Sequence, residues 1–434
     1  MKLQIILINR KSHGFLIIES IIVISLFTIF IISTFYLKSS INSLRLWSIN
    51  ELNNLKNTIT ASDLLINSNE IKGAYYGNYS KITELYPFTF SKSDLLNSWG
   101  IPICDPEIDY INNITLNNSN LDIGIDTKST GIEVRNSIIY LSADSSISTL
   151  SDLFIIDNRN RNRPSIISSI NTGPGVASLS IAGPYIYLAN TSSNSQLQII
   201  DIHNRESPHI ISQVKLPLPN ASSSPARSTS IFYNKGFIFL GTNKWDGPEL
   251  SIINVKDPFN PYIVSSFETN TLINDIFVLD NTVYIATSDI YQMRIIDITQ
   301  IENPKLINTF TSTGWEVQQG NVLSIFEDKL VLGRTVGGIN RVNNHEIFVF
   351  STSTNINQIS SHDIPSGVYG VILSNNKTFI LTHDFNKEFQ IWDKDSNKKI
   401  YEISLNSKPV SMRCDRNTLY FATGDNKGFI FTDL

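Results

Sequence analysis

Apolar residues dominate one long stretch near the start of the chain. Residues 15–37 contain a single charged side chain, Glu19, in 23 positions. At about 1.5 Å of rise per residue, a helix of this length can cross a bilayer core of about 30 Å. Apolar residues then recur at three- to five-residue intervals to about residue 67, which predicts that the helix continues as a stalk. Residues 68–120 are irregular and predict a connecting region.

From about residue 121 the pattern changes to short apolar runs, and it repeats. Each repeat has an apolar doublet or triplet closed by a residue that is polar in every copy, and these closing residues are 40 to 54 positions apart. They are Asp157, Asp201, Asn254, Asp297, Ser351, Asp393 and Asp433. Four short strands in each such interval are typical of the blades of a β-propeller. The spacing therefore predicts a mainly β fold with a seven-bladed propeller over residues 121–434.

The seventh repeat ends after its third strand, which would leave an open strand edge. Residues 121–126, followed by 130–134, parallel residues 306–310, followed by 313–317. We therefore expect residues 121–126 to be the outer strand of blade seven and to close the propeller against the C-terminal strands.

Composition and motifs argue against several functions. Charged residues are 17% of the 434 positions, the formal net charge is −5 and no basic block is present, so nucleic acid is not an expected partner. The histidines stand singly, without a second ligand at metal spacing, and no catalytic or phosphate-binding motif occurs. The aspartates that recur once per repeat are expected to make structural hydrogen bonds at strand ends. We predict no enzyme activity, no cofactor and no metal site.

The N-terminal apolar stretch has a specific start. Gly14 directly precedes it, Phe15 is its first residue and Glu19 is the fifth residue counted from Phe15. Residues 1–14 form a basic leader that is expected to stay in the cytoplasm. A carboxylate in such a span costs roughly 2.5 kcal/mol or more, so it needs a partner. This segment resembles the N-terminus of type IV pilins and pseudopilins. His13 and Leu16 depart from the residues common in that family.

The resemblance implies a processing step and partners. A prepilin peptidase would cut after Gly14 and methylate Phe15, and Glu19 would meet the N-terminal ammonium of a neighbouring pilin or pseudopilin subunit. Residues 15–67 would be the transmembrane and stalk helix, and residues 68–120 the pilin-like connecting region. The alternative is an ordinary signal anchor.

The repeats resemble those of the LVIVD family of β-propellers. Its consensus has the same Ile-Asp ending and a following Asn-Pro-x-x-Pro loop, which residues 256–261 and 301–304 match best. The resemblance covers about residues 121–434 and implies a fold, whereas propellers host many activities.

Three functions are compatible with these patterns. The first is a pilin-like protein, anchored in the cytoplasmic membrane or carried on a surface filament, that displays an extracytoplasmic propeller as a binding head for adhesion or recognition of an unknown extracellular ligand. The second is a membrane-tethered extracytoplasmic propeller enzyme. The third is an anchored scaffold that joins no filament. The absence of clustered catalytic residues favours the first over the second.

Two cysteines are present, Cys104 and Cys414. Cys414 follows the first strand of blade seven, and Cys104 shortly precedes the entry of the chain into the propeller. Both positions are expected on the same face of the propeller, so the sequence predicts a Cys104–Cys414 disulfide in an oxidising compartment. The alternative is two unpaired thiols.

The long connections of the propeller indicate which face binds. Residues 217–228 join an outer strand to the next inner strand, whereas 242–249 and 334–346 join second to third strands, and both kinds of connection emerge on one face. Long loops on a rigid scaffold commonly carry binding sites. The candidate binding residues are Trp245, Asp246, Arg334, Asn340 and Arg341, with Arg227 and Trp315 nearby. The alternative is that these loops are tolerated insertions.

Overall fold

The computed structural model describes residues 114–434, except 120, 146–148, 174, 221–222, 313–318, 327, 336–344, 353–356, 375–376, 394–397, 416–417 and 434. The predicted leader, membrane span and stalk helix, with Gly14, Phe15 and Glu19, lie outside the described residues, as does the connecting region before residue 114. Among the residues that are described, no helix has the length and apolar character needed to cross a membrane.

The described part of the chain is built from short strands. In chain order they are β1 (Asn117–Asn118), β2 (Thr127–Arg135), β3 (Ile138–Ser145), β4 (Leu153–Asp157), β5 (Ser165–Ile170), β6 (Val176–Ala182), β7 (Tyr185–Asn190), β8 (Leu197–Asp201), β9 (His209–Val214), β10 (Ser228–Asn234), β11 (Phe237–Thr242), β12 (Leu250–Asn254), β13 (Tyr262–Phe267), β14 (Ile273–Leu279), β15 (Thr282–Thr287), β16 (Met293–Asp297), β17 (Lys305–Phe310), β18 (Gly320–Phe326), β19 (Lys329–Arg334), β20 (Ile347–Ser351), β21 (Asn357–His362), β22 (Val368–Leu373), β23 (Lys377–Thr382), β24 (Phe389–Asp393), β25 (Lys399–Ile403), β26 (Ser411–Asp415), β27 (Thr418–Ala422) and β28 (Phe429–Asp433).

These strands form seven four-stranded antiparallel sheets. In six of them four consecutive strands pair in chain order, beginning with β2–β5 as blade one and ending with β22–β25 as blade six. Blade seven has the order β26-β27-β28-β1. The seven-bladed, mainly β propeller predicted from the repeat is therefore confirmed for this part of the chain.

The closing strand lies earlier in the chain than the sequence pattern predicted. Asn117 pairs with Phe431 and Asn118 with Ile430, so β1 closes blade seven and residues 121–126 do not. Residues 121–126 instead lead from β1 to the inner strand β2, and the positive φ angles of Gly124 (114°) and Asp126 (62°) turn the chain there. Leu121 and Ile123 pack into the core on the way, which explains their strand-like alternation.

The hydrophobic core lies in layers between neighbouring blades. One cluster joins Ile139 and Ile156 of blade one to Tyr420 and Phe431 of blade seven, and the other clusters join blades in the same way. The second strand of each blade is almost wholly buried, as in β7 and β11. Both faces of these strands contact protein, which explains why they read as continuous apolar runs rather than as alternating ones.

The polar residues that close the third strands begin tight turns. The backbone N–H two positions later donates to the side-chain oxygen at distances of 2.8 to 3.0 Å. These acceptors are Asp157, Asp201, Asn254 and Asp297. Side chains of this kind stabilise turns by bonding to nearby backbone groups. The expectation that the recurring aspartates make structural hydrogen bonds is therefore confirmed at Asp157, Asp201 and Asp297, and Asn254 makes the same bond.

Candidate functional site

Two kinds of connection meet on one face of the propeller, here called the loop face. They are the loops between second and third strands, such as 191–196, 243–249 and 383–388, and the connections from outer to inner strands, such as 215–227. In blade three the N–H of Asn243, in the first kind, donates to the carbonyl of Arg227, in the second, at 2.9 Å. Blades two and four have the equivalent bond. The two kinds of connection are thus hydrogen-bonded to each other within these three blades.

Three of the predicted binding residues come together on the loop face of blade three. Arg227 is exposed, and its backbone N–H donates to the Asn243 side chain at 2.7 Å. Two residues beyond Asn243, the half-buried Trp245 donates its indole N–H to the carbonyl of Pro248 at 3.1 Å, and Asp246 next to it is exposed. A side chain at Gly247 would collide with the indole, so glycine is required for this packing.

Arg334 occupies a different position from the one expected. Its side chain is only 2% exposed, and its guanidinium donates to the carbonyl of His345 at 2.9 Å and to the Gln292 side chain at 3.3 Å. The guanidinium also lies 4.6 Å from the centre of the Phe348 ring, and burial lowers its pKa to about 10. Arg334, predicted as a binding residue of the loop face, is therefore buried, and its hydrogen bonds join blade five to blade four. Asn340, Arg341 and Trp315 lie outside the described residues.

Cys414 is buried on the inner strand β26 and is disulfide-bonded. Its predicted partner, Cys104, lies outside the described residues. The Cys104–Cys414 pairing therefore stays a prediction.

Sequence reasoning missed a polar position that supports the loop face. In six blades the residue directly before the third strand is a buried acid or amide, and its side chain accepts a backbone N–H from the connection that follows the outer strand, at 2.7 to 3.1 Å. These residues are Asp152, Gln196, Glu249, Gln292, Glu346 and Glu388. Their regular placement before an apolar run was a signal in the sequence. They hold the connections in place, which makes the loop face rigid.

Burial changes the acidity of two of these side chains. Removal from water raises the pKa of Asp152 to about 6, against the hydrogen bonds from Thr172, and raises the pKa of Glu346 to about 7. Both carboxyl groups accept hydrogen bonds from backbone N–H groups inside the protein.

The inner strands contain a second repeated device. In blades one to six each inner strand has a one-residue bulge. In four blades the bulged residue is Thr or Asn, and its side chain donates to a backbone carbonyl at the start of the next inner strand, at 2.5 to 2.7 Å. The pairs are Thr130 and Val176, Thr229 and Ile273, Asn274 and Gly320, and Asn321 and Val368. These bonds link neighbouring blades around the central channel.

Charged groups on the inner strands also link blades. Arg413 of blade seven donates to Glu133 of blade one at 2.7 Å, and Arg135 lies 3.4 Å from the same carboxylate. Asp275 of blade four accepts the backbone N–H of Leu323 of blade five at 2.8 Å, and burial raises its pKa to about 6. Within the described ranges, no group of three or more His, Cys, Asp or Glu side chains is placed to hold a metal ion.

The loop face also presents apolar side chains to solvent. They lie in the connections of several blades and are Ile125, Leu218, Ile290, Tyr291 and Phe385. Loops held by a rigid scaffold commonly carry the binding residues of a protein. The loop face, with Arg227, Trp245 and Asp246, is therefore the candidate functional site.

Comparison with known proteins supports the fold. No protein-family model matches the chain, and no curated protein sequence matches it. Among solved structures, virginiamycin B lyase from Staphylococcus aureus is similar with a TM-score of 0.54 and 16% identity, over 74% of this chain and 100% of the other. The WD40 β-propeller domain of Doa1 has a TM-score of 0.51 and 13% identity, over 74% of this chain and 97% of the other.

The computationally designed Ika8 protein is similar as well, with a TM-score of 0.52 and 10% identity, over 73% of this chain and 100% of the other. At these identities the likeness concerns the fold alone. The described part of the chain is a seven-bladed β-propeller.

Proposed function

We propose that this protein is a pilin-like membrane-anchored surface protein that displays its propeller as a binding head, for adhesion or recognition. The observation that carries the proposal is the N-terminal pattern of Gly14 and Phe15, followed by Glu19 within the apolar residues 15–37. The pattern suits cleavage at the membrane surface and retention of the apolar helix. The single carboxylate is suited to pairing with the ammonium group of a neighbouring subunit.

The geometry of the propeller supports the binding-head part of the proposal. The chain enters blade seven at the start of β1, where the carbonyl of Thr115 accepts a bond of 3.0 Å from the hydroxyl of Thr432, near the end of β28. In an antiparallel blade the loop face lies at the other end of β28. The described chain therefore begins on the face opposite the loop face, which is the arrangement that a tethered binding head requires.

Processing of the N-terminus tests the proposal. The full chain is produced in cells that contain a prepilin peptidase, and the membrane-bound protein is analysed by mass spectrometry. We expect a mature chain that begins at N-methylated Phe15. Glu19→Gln is expected to leave membrane insertion intact and to abolish incorporation into filaments, because the partner of the neighbouring ammonium is lost. Glu51→Gln, in the predicted stalk, is the matched control. A mature chain that retains Met1, or that begins after Leu37, contradicts the proposal.

A further inference from the structure

Blade six departs from the repeat at its inner strand. The bulged residue, which is Thr or Asn in four other blades, is Tyr369 here. Its ring lies flat on the ring of His383, with 3.6 Å between the ring centres and 15° between the planes. Both side chains are half-buried, so part of this stacked pair is open to solvent.

His383 takes over the link that a bulged Thr or Asn makes elsewhere. Its Nε2 lies 3.0 Å from the carbonyl of Pro409. By strand register Pro409 occupies, in blade seven, the position of the accepting residues Val176 and Ile273 in blades two and four. The link between blades is therefore kept, while Tyr369 is released from it. A position that departs from the repeat, and whose lost interaction is supplied by another residue, is characteristic of a functional site.

A third aromatic residue stands two positions beyond His383. Phe385 is 81% exposed, yet its loop is rigid: the N–H of Thr382 donates to the carbonyl of Glu388 at 2.7 Å, and Asn386 adopts a left-handed φ of 64°. The equivalent six-residue loop of blade two has Ser193 at the position of Phe385. The loop therefore folds without an aromatic residue at this position, and in blade six it holds Phe385 in the solvent.

We propose that Tyr369, His383 and Phe385 form a binding site for the ring of a neutral sugar, such as a hexose unit of a surface glycan. The proposal rests on the proposed function and names its ligand class. A pyranose has a face of C–H bonds, which suits an aromatic platform, and an edge of hydroxyl groups, which suits a few fixed polar groups beside it.

The polar groups around this platform favour a neutral ligand. The Nε2–H of His383 is used by Pro409, which assigns Nδ1 as an acceptor for a hydroxyl group. Burial lowers the pKa of His383, so its ring is neutral at pH 7. The carboxylates of Asp384 and Glu388 are balanced by Lys387 on the same loop and by Lys408 beside Pro409, so neither sign of charge is in excess around the platform.

The test measures glycan binding by the full chain, in a detergent without a sugar headgroup, on an array of neutral oligosaccharides, with single-stranded DNA as a second probe. Two variants replace an aromatic residue with the residue found at the same position in another blade. A third variant removes an aromatic side chain elsewhere as the control. Phe385→Ser copies blade two, Tyr369→Thr copies blades one and three, and Phe259→Ser removes an exposed phenylalanine from a turn on the opposite face as the control. Thermal unfolding of each variant checks the fold.

We expect the wild-type chain to bind at least one neutral glycan, and Phe385→Ser and Tyr369→Thr to weaken that binding at least tenfold, while Phe259→Ser leaves it unchanged. Absence of glycan binding, binding to DNA instead, or equal binding by Phe385→Ser would overturn the proposal. Since Phe385 is exposed, its variant stays informative even if Tyr369→Thr fails to fold. If Trp245→Ala abolishes cell adhesion and Phe385→Ser does not, the proposed sugar site is overturned. The proposed role of the propeller as a binding head is then still supported.

Discussion

Two aspartates at the ends of one short strand show how position decides acidity. Asp152 directly precedes β4, is buried, and accepts the N–H of Thr172 at 2.7 Å and its hydroxyl at 2.8 Å. Asp157 ends the same strand and accepts the N–H of Arg159 at 2.9 Å. Burial raises the pKa of Asp152 to about 6, whereas the Arg159 side chain lowers the pKa of Asp157.

The two aspartates are expected to act on stability in opposite directions of pH. A raised folded-state pKa means that the contribution of Asp152 is complete below about pH 4 and is lost as the pH rises through about 6. Asp152→Asn should remove that loss. The free energy of unfolding of the variant, measured against wild type, should therefore shift in favour of the variant by roughly 3 kcal/mol between pH 4 and pH 8. The measurement is urea unfolding from pH 4 to pH 8.

Asp157→Asn is the matched control for this experiment. Its lowered pKa means that its contribution is present above the unfolded-state pKa of about 4 and is lost as the pH falls further. The stability deficit of this variant should therefore be constant from pH 5 to pH 8. The interpretation of Asp152 fails if both variants change with pH in the same way.

At the scale of elements, the bulged inner strands link each blade to the next. Thr130 of blade one donates to the carbonyl of Val176 at 2.5 Å, but blade two has Ala177 at its bulge, which has no side-chain donor. Blade two therefore has the same bulge as blade one but lacks the hydrogen bond to the next blade. A threonine, which the fold accepts at the bulges of blades one and three, can supply this bond.

Ala177→Thr is expected to stabilise the propeller by about 0.5 to 1 kcal/mol, because the new hydroxyl can donate to the carbonyl of Ser228, the equivalent of Val176 in blade three. Thr130→Ala should cost about 1 to 2 kcal/mol, since a buried carbonyl loses its donor. Unfolding in urea measures both changes, and Thr130→Ser, which keeps the hydroxyl, is the control. A neutral Thr130→Ala would show that these bonds do not hold the blades together.

At the scale of the whole molecule, the ring is closed by a very short strand. β1 pairs two residues with β28, and the Ser119 hydroxyl adds a bond of 2.8 Å to the carbonyl of Lys427. The buried Ile114 and the half-buried Leu116 pack against blades six and seven. The segment that enters the propeller is therefore also the segment that closes it.

Two truncated chains test this closure. One begins at residue 114 and keeps β1, and the other begins at residue 120 and lacks it. The shorter chain loses buried apolar side chains worth about 1.5 to 3 kcal/mol each when fully buried, and it exposes the edge of β28. We expect it to unfold at lower urea concentration, to exchange the amide hydrogens of β28 faster and to self-associate. Equal stability of the two chains would show that β1 contributes nothing to closure.

The periodic pattern of the sequence was sufficient for the architecture. Apolar runs closed by a polar residue every 40 to 54 positions predicted seven blades, and Asp157, Asp201 and Asp297 cap turns as expected from their repetition. A repeat reveals local structure because each copy must meet the same local requirement for hydrogen bonding and burial. The motif at Gly14, Phe15 and Glu19 likewise belongs to the sequence and carries the functional proposal by itself.

Tertiary structure decided whatever depends on contacts between distant residues. The closing strand was misplaced because the buried Ile123 and the half-buried Leu121 pack against the core from a connection and alternate as a strand would. Arg334 looked like an exposed loop residue, but Gln292 of the preceding blade and Phe348 enclose it. Tyr369, His383 and Pro409 belong to different parts of the repeat, and no local pattern joins them. Their relation exists only because the ring brings neighbouring blades within hydrogen-bond distance.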